Sequence, residues 1–186
     1  MTESILVWPR GRQTPQPLPV DGYSIQPLPA DQDNWWLNIQ CQAVLHYTSD
    51  LLTPSLERYR RLALAEGILI AVEECSRLPV ATAGSLISPR DDLFLNAGEI
   101  GWVATVPEHR QKGLSQWLCG VALNRLLAQD FDTIFLSTGR DMPDAIRLYF
   151  RLGFVPYLYA PEQWGEWEEI CQENRLPFEP DRWISK

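Results

Sequence analysis

Residues 98–115, GEIGWVATVPEHRQKGLS, restrict what this chain can fold into more than any other stretch. Residues 99–106 read as a β-strand. Pro107 ends it, because proline has no N–H to give to a sheet ladder. Arg110, Gln111, Lys112 and Gly113 follow as a basic, glycine-containing loop, and Leu114, Ser115 and Gln116 open a helix. Leu114, Trp117, Leu118, Val121, Ala122 and Leu126 fall on one face of that helix. A loop that aims backbone N–H groups outward at a helix N-terminus is an anion site. Arg110 and Lys112 add positive charge there, in a chain whose net charge is −8. The segment therefore predicts a site for a phosphate or pyrophosphate.

The length of 186 residues suits one domain with a full core. Hydrophobic residues make up 45% and charged residues 22%, which places the chain among soluble globular proteins rather than disordered ones. The acidic balance argues against non-specific nucleic-acid binding, which needs a basic face. It either steers a cationic substrate or simply keeps the protein soluble. No apolar run reaches the ~18 residues of a membrane span. The N-terminus MTESILVWPR lacks the basic start and long apolar core of a signal peptide. A cytoplasmic location with no membrane partner is the expectation. Cys41, Cys75, Cys119 and Cys171 are scattered, and His46 and His109 are far apart, so no metal site is expected. Free, mostly buried thiols fit a reducing compartment.

Along the chain, residues 1–20 read as a proline-rich arm with a short added strand at residues 5–8. A strand follows at residues 23–28. A helix capped by Asp31 or Asp33 covers residues 35–47. Thr53-Pro54 marks the start of a second helix, with a hydroxyl cap and proline at its first position, and Gly67 stops it. Strands are expected at residues 68–73, 80–87 and 99–106, with a turn at residues 89–92. The loop helix comes next. A strand at residues 133–137, a helix at 144–152 closed by Gly153, and a strand at 154–159 complete the pattern. The tail from Pro161 carries Trp164, Trp167 and Trp183 and has room for one more helix. The order β, α, α, β, β, β, α, β, α, β predicts an α/β fold: one mixed sheet with helices on both faces.

Two motifs give this pattern a family resemblance. Arg110-Gln111-Lys112-Gly113-Leu114-Ser115 resembles the Arg/Gln-x-x-Gly-x-Gly/Ala loop of the GCN5-related N-acetyltransferases, with Ser115 where the family has glycine or alanine. Residues 144–154, DAIRLYFRLGF, resemble the family's Ala-x-x-Leu-Tyr-x-x-x-Gly-Phe stretch at Ala145, Leu148, Tyr149, Gly153 and Phe154. The resemblance covers residues 66–159. It implies a twisted mixed sheet that splays open where acetyl-CoA enters. Residues 21–160 would then be the transferase domain, with residues 161–186 packed on it.

The resemblance also implies roles. Backbone groups of Val103, Ala104 and Thr105 would pair with the pantetheine amides, and a strand amide near Val103 would polarise the thioester carbonyl. Arg110, Gln111, Lys112, Gly113, Leu114, Ser115 and Gln116 would hold the pyrophosphate, mainly through backbone. Gly113 permits close approach; alternatively it is a turn glycine. Tyr149 would donate to the leaving thiolate. It also lies on an apolar i, i+3, i+4, i+7 face with Ala145, Leu148 and Leu152, which suits a core tyrosine equally. Met142 stands where many members have a cofactor-contacting asparagine, with Asp141 beside it.

The amine needs a base. Glu99 lies fourteen residues before Gly113, the spacing at which the histone-acetyltransferase branch carries one. Strand alternation puts Glu99 on the face of Gly101, Val103 and Thr105; the other reading is a solvated strand-end glutamate. Glu73 and Glu74 are the alternatives. Trp35, Trp36, Trp102 and Trp117 either line an acceptor pocket or fill the core. The implied activity is acetyl transfer from acetyl-CoA, with no metal, to a small-molecule or peptide amine by direct attack. The alternative is a CoA-binding sensor or interaction module without catalysis. The acceptor is not readable, and a homodimer is open.

Overall fold

The computed structural model describes residues 3–44, 46–88, 90 and 93–185. Pro89, Asp91 and Asp92 of the expected turn lie outside the described residues.

The fold is mixed α/β. Its strands are β1 (Ser4–Val7), β2 (Tyr23–Pro27), β3 (Ala63–Glu73), β4 (Pro79–Ile87), β5 (Ala97–Thr105), β6 (Thr133–Thr138), β7 (Val155–Leu158) and β8 (Ile184–Ser185). Its helices are α1 (Asp33–Ala43), α2 (Ser49–Leu62), α3 (Leu114–Leu127), α4 (Pro143–Leu152) and α5 (Gln163–Asn174). The strands form one sheet in the order β2-β3-β4-β5-β6-β1-β7-β8. Only β5·β6 and β7·β8 are parallel pairs among these neighbours.

Neighbouring residues of β4 show where the helices sit. Gly84 faces α2, since a Cβ there would lie 1.7 Å from the Tyr59 hydroxyl. Ser85 faces the other way, and its hydroxyl donates to the Ala122 carbonyl of α3 at 3.2 Å. Thus α2 and α3 cover opposite faces. A second, smaller core lies where Phe94 stacks on Phe135 and Tyr157, with ring centroids 5.1 and 5.0 Å apart.

Several local expectations are corrected. β1 is an interior strand, antiparallel to both β6 and β7. All four of its residues are buried, as suits a strand covered on both faces. The proline-rich stretch after it crosses the outside of α3 and α4: Arg12 donates to the Gly153 carbonyl at 2.8 Å, and Pro17 would meet a Cβ at Gly120 at 3.3 Å. Helix α1 is shorter than expected, and its cap position falls on Gln32, between the two aspartates, with no side-chain bond; the Asp33 carboxylate, already inside the helix, pairs with Arg60. Helix α2 starts at Ser49 rather than Thr53, because Thr48 caps it by accepting from the Leu51 N–H at 3.4 Å. Thr53 instead bonds back to the Ser49 carbonyl at 2.8 Å, and Pro54 sits inside the helix. Gly67 does not stop α2. It lies in β3, beside a register shift and next to Glu66 at φ 55°, where a Cβ would press on the Ser85 carbonyl at 2.6 Å.

Candidate active site

The site begins with what borders β5. Its parallel pairing with β6 runs through Ala97, Gly98 and Glu99 and goes no further. Its antiparallel pairing with β4 continues to Thr105, but with a register shift: Gly84 opposes Gly101 and Thr82 opposes Ala104. Two residues, Trp102 and Val103, therefore stand against Ala83 alone, which is a β-bulge. Trp102 has φ 56°, a left-handed conformation that L-residues adopt at a cost.

Side chains from the helices hold the bulge. Gln40 of α1 is 3% exposed and donates its amide N–H to the Trp102 carbonyl at 2.9 Å. The hydroxyl of Tyr59, in α2, donates to the Gly101 carbonyl at 3.4 Å. The Trp36 ring lies against the rings of Tyr59 and Trp102, with centroids 5.5 and 5.1 Å apart. Sequence reading left out Gln40. Its one visible signal was a polar residue four positions after Trp36 on the buried side of α1.

The bulge also reverses the alternation of β5. Glu99 and Gly101 face α2, but Thr105 faces α3, where its hydroxyl meets that of Ser115 at 2.9 Å. Glu99 therefore does not share a face with Thr105, because one extra residue stands between them. Thr105 and Ser115 together tie the end of β5 to the start of α3, which gives Ser115 a structural partner.

Beyond Thr105 the chain makes a short 3₁₀ turn at Pro107–His109 and enters the loop. Gln111 has φ 62° and Gly113 φ 89°, both left-handed, alternating with neighbours of the ordinary hand. Such alternation curls successive N–H groups toward one point. Gly113 is the N-cap of α3 and offers no side chain to it. The first intrahelical bond runs from Trp117 N–H to Gly113 O, so the N–H groups of Gly113, Leu114, Ser115 and Gln116 have no partner within the helix. The two cations of the loop are committed to protein groups. Arg110 donates to the carbonyls of Thr105 at 3.2 Å and Ala43 at 2.9 Å. Lys112 donates to the Tyr23 hydroxyl at 2.9 Å, and this bond raises its pKa. Next to the loop, a groove of about 210 Å³ runs between residues 15–20 and the outer side of α3, lined by Gly113, Gln116, Trp117 and Gly120.

Tyr149 of α4 is 5% exposed, and burial pushes its phenol well above the ordinary value. Cys119 of α3 is within electrostatic reach, its own thiol pushed up by burial to about 12. Glu99 lies on the opposite face, and burial raises its carboxyl above the usual carboxylate range. A hydrogen bond from Ser88 offsets this in part. Tyr149 thus lies beside α3, whereas Glu99 lies on the α2 face of the sheet, at the last residue of β5 that pairs with β6. Glu73 is engaged elsewhere: its carboxylate accepts from Ser76 at 2.6 Å, which lowers its pKa. Met142 is the N-cap of α4 and is half exposed. Trp36 is fully buried, whereas Trp35, Trp102 and Trp117 are half-buried.

The sequence model of the acetyltransferase (GNAT) family matches residues 34–154. The mycothiol acetyltransferase of Pseudarthrobacter chlorophenolicus is 27% identical over 157 residues, which is 78% of this chain and 47% of that protein. The chain thus spans about half the length of this curated relative. A GCN5-related N-acetyltransferase from Sphaerobacter thermophilus superposes with a TM-score of 0.65 at 19% identity, over 83% of this chain and 48% of the other. An aminoglycoside N-acetyltransferase in complex with CoA superposes with a TM-score of 0.55 at 11% identity, over 70% of this chain and 86% of the other. At these identities the solved structures establish a shared fold.

Proposed function

The chain belongs to the acetyltransferase (GNAT) family, and from that premise we propose that it is an acetyl-CoA-dependent N-acetyltransferase acting on a primary amine by direct attack in a ternary complex. The observation that carries this reading is the coincidence of three features at one end of β5. Pairing with β6 stops at Glu99, the bulge follows, and the uncapped N-terminus of α3 comes next. On this reading residues 21–160 form the transferase core together with β1, which completes the sheet between β6 and β7, and the rest of residues 1–20 and residues 161–186 are accessory segments.

The pyrophosphate sits against the N–H groups of residues 111–116. Backbone is the main donor, since Arg110 and Lys112 already hold the loop's shape. Each such anion contact contributes about 0.3–1 kcal/mol when exposed, so several must converge. The pantetheine arm pairs with the open edge of β5 at Val103, Ala104 and Thr105. The Val103 amide faces the thioester carbonyl and stabilises the charge that grows on it during attack.

The amine then needs its lone pair. An alkyl ammonium with a pKa near ~10.4 leaves less than about one part in a thousand neutral at pH 7, a cost of roughly 4–5 kcal/mol. Glu99 is the base on this reading, and its raised pKa brings it nearer the pH at which it must work. Burial keeps the Tyr149 phenol protonated but makes it a weaker acid than an ordinary phenol; on this reading its O–H bonds to the departing thiolate and passes its proton as charge develops there.

Titration calorimetry with acetyl-CoA tests the cofactor. Binding is expected, and none at millimolar ligand overturns the reading. A broad amine panel, with free CoA thiol as the readout, tests transfer. Tight binding with no thiol released by any amine favours the CoA-binding module instead.

A further inference from the structure

We propose that Gln40 is a positioning residue: it sets the orientation of the Trp102–Val103 peptide group, and through it the N–H that faces the thioester carbonyl. This inference rests on the acetyl-CoA reading above.

The atom of Gln40 that meets the Trp102 carbonyl at 2.9 Å has to be its amide nitrogen, because a carbonyl oxygen only accepts. No peptide among the described residues is cis. In a trans peptide the C=O and the following N–H point in opposite directions. A carbonyl of Trp102 pinned toward α1 therefore directs the Val103 N–H away from α1. Rotating that peptide plane would redirect the N–H, and nothing in β6 restrains it, because β6 pairs with β5 only as far as Glu99.

The backbone at this point also needs holding. Trp102 is a bulky residue at φ 56°, a strained conformation that persists only when its surroundings enforce it. Tyr59 of α2 packs on the Trp102 ring and bonds the preceding carbonyl, but only α1 reaches the Trp102 carbonyl itself. Trp36 and Gln40, one turn apart on α1, grip the ring and the carbonyl of the same residue. Gln40 is 3% exposed, so water does not compete for the bond or replace it. Burying an amide on an otherwise apolar helix face is costly unless it is paired. The Trp102 carbonyl is the partner the structure provides.

The experiment reads the carbonyl directly and needs no acceptor. Acetyl-CoA labelled with carbon-13 at the thioester carbonyl is bound to the full chain, and its carbonyl stretch is recorded by difference infrared spectroscopy. A polarised carbonyl absorbs at lower frequency than the free ligand. The variants are Gln40→Leu and Gln40→Met, which keep the volume and remove the donor. The expected result is a lowered carbonyl frequency in the native chain that returns toward the free value in both variants. Calorimetric affinity for CoA itself stays unchanged, because the loop at residues 111–116 is untouched. With an accepted amine in hand, turnover falls by about 100-fold while KM for acetyl-CoA holds.

An unchanged carbonyl frequency in the variants overturns the role of Gln40 and leaves the cofactor reading standing. So does a loss of CoA affinity in step with a lower melting temperature, which marks a purely structural residue. Failure of the native chain to bind acetyl-CoA overturns the cofactor reading first, and this inference with it. If Gln40→Leu does not fold, Gln40→Met carries the test.

Discussion

The two halves of β5 are bordered differently. At Gly98 and Glu99 the strand has a neighbour on each side, β4 and β6. From Gly101 to Thr105 it has β4 alone, carries the bulge, and borrows hydrogen-bond donors from α1 and α2 to satisfy two successive carbonyls. The paired half is scaffold: Gly98 is so enclosed that a Cβ would lie 2.8 Å from Leu126 and Phe131. The open half has no β6 residue opposite it and runs on into the turn and loop that lead to α3. One strand thus supplies rigidity at one end and unpaired polar backbone at the other.

The largest expected effect tests whether the open half is reactive. Tyr149→Phe removes the proposed proton donor and changes little else in volume. Turnover should fall by about 10²–10⁴-fold with acetyl-CoA affinity intact. Because burial keeps the phenol protonated, no basic limb from Tyr149 should appear in the native pH–rate profile at working pH. Unchanged turnover in Tyr149→Phe returns this residue to the core and leaves the open half as a binding edge.

A pair of alanine substitutions separates the halves. Gly98→Ala overpacks the paired half against Leu126 and Phe131 and should cost about 1–3 kcal/mol of folding stability. Its folded fraction should bind acetyl-CoA as the native chain does. Gly113→Ala acts at the other end. Its Cβ has room, with Val20 at 3.7 Å, but φ 89° strains any side chain. At roughly 1–2 kcal/mol the strain should distort the loop and raise the Kd for acetyl-CoA by about tenfold. Thermal melts and calorimetry on both variants check the contrast. Equal effects of the two substitutions on Kd and on melting temperature would erase the distinction between scaffold and open edge.

The same contrast explains what could be read from the sequence. The strand, loop and helix at residues 98–115 were legible because each carries a local signal: apolar character, then Pro107, then Gly113 before a helical stripe. The mixed sheet followed from the order of such segments. The bulge was hidden, because Trp102 carries none of the glycine or asparagine signal that marks a left-handed residue, and period-two alternation continues on paper through the extra residue. β1 was visible as a short apolar run, but its place between β6 and β7 is set by pairing across more than a hundred residues, which no local pattern encodes. The start of α2 was misplaced because two hydroxyl residues compete for the cap, and Thr48 rather than Thr53 has the extended backbone a cap requires. Gln40 was hidden for the same reason as β1: its partner is a carbonyl 62 positions away.

Glu99 stands at the boundary between the halves, and its titration gives the smallest and most discriminating effect. Burial favours the protonated carboxyl, with the Ser88 hydrogen bond and the charges of Arg90 and Arg58 opposing, and the net direction is upward. Between the ordinary carboxylate range and the raised value, the folded chain binds more protons at this group than the unfolded chain. Its contribution to stability is therefore fully present at low pH and is lost as pH rises through that window. Glu99→Gln should flatten that decline in melts taken from pH 4 upward. If Glu99 is also the base, kcat/KM should rise through the same window as the carboxylate forms, and Glu99→Gln should abolish that limb. A variant that loses the stability slope but keeps the rate limb assigns Glu99 to the paired half as a buried structural carboxyl. The base would then lie elsewhere along the open edge.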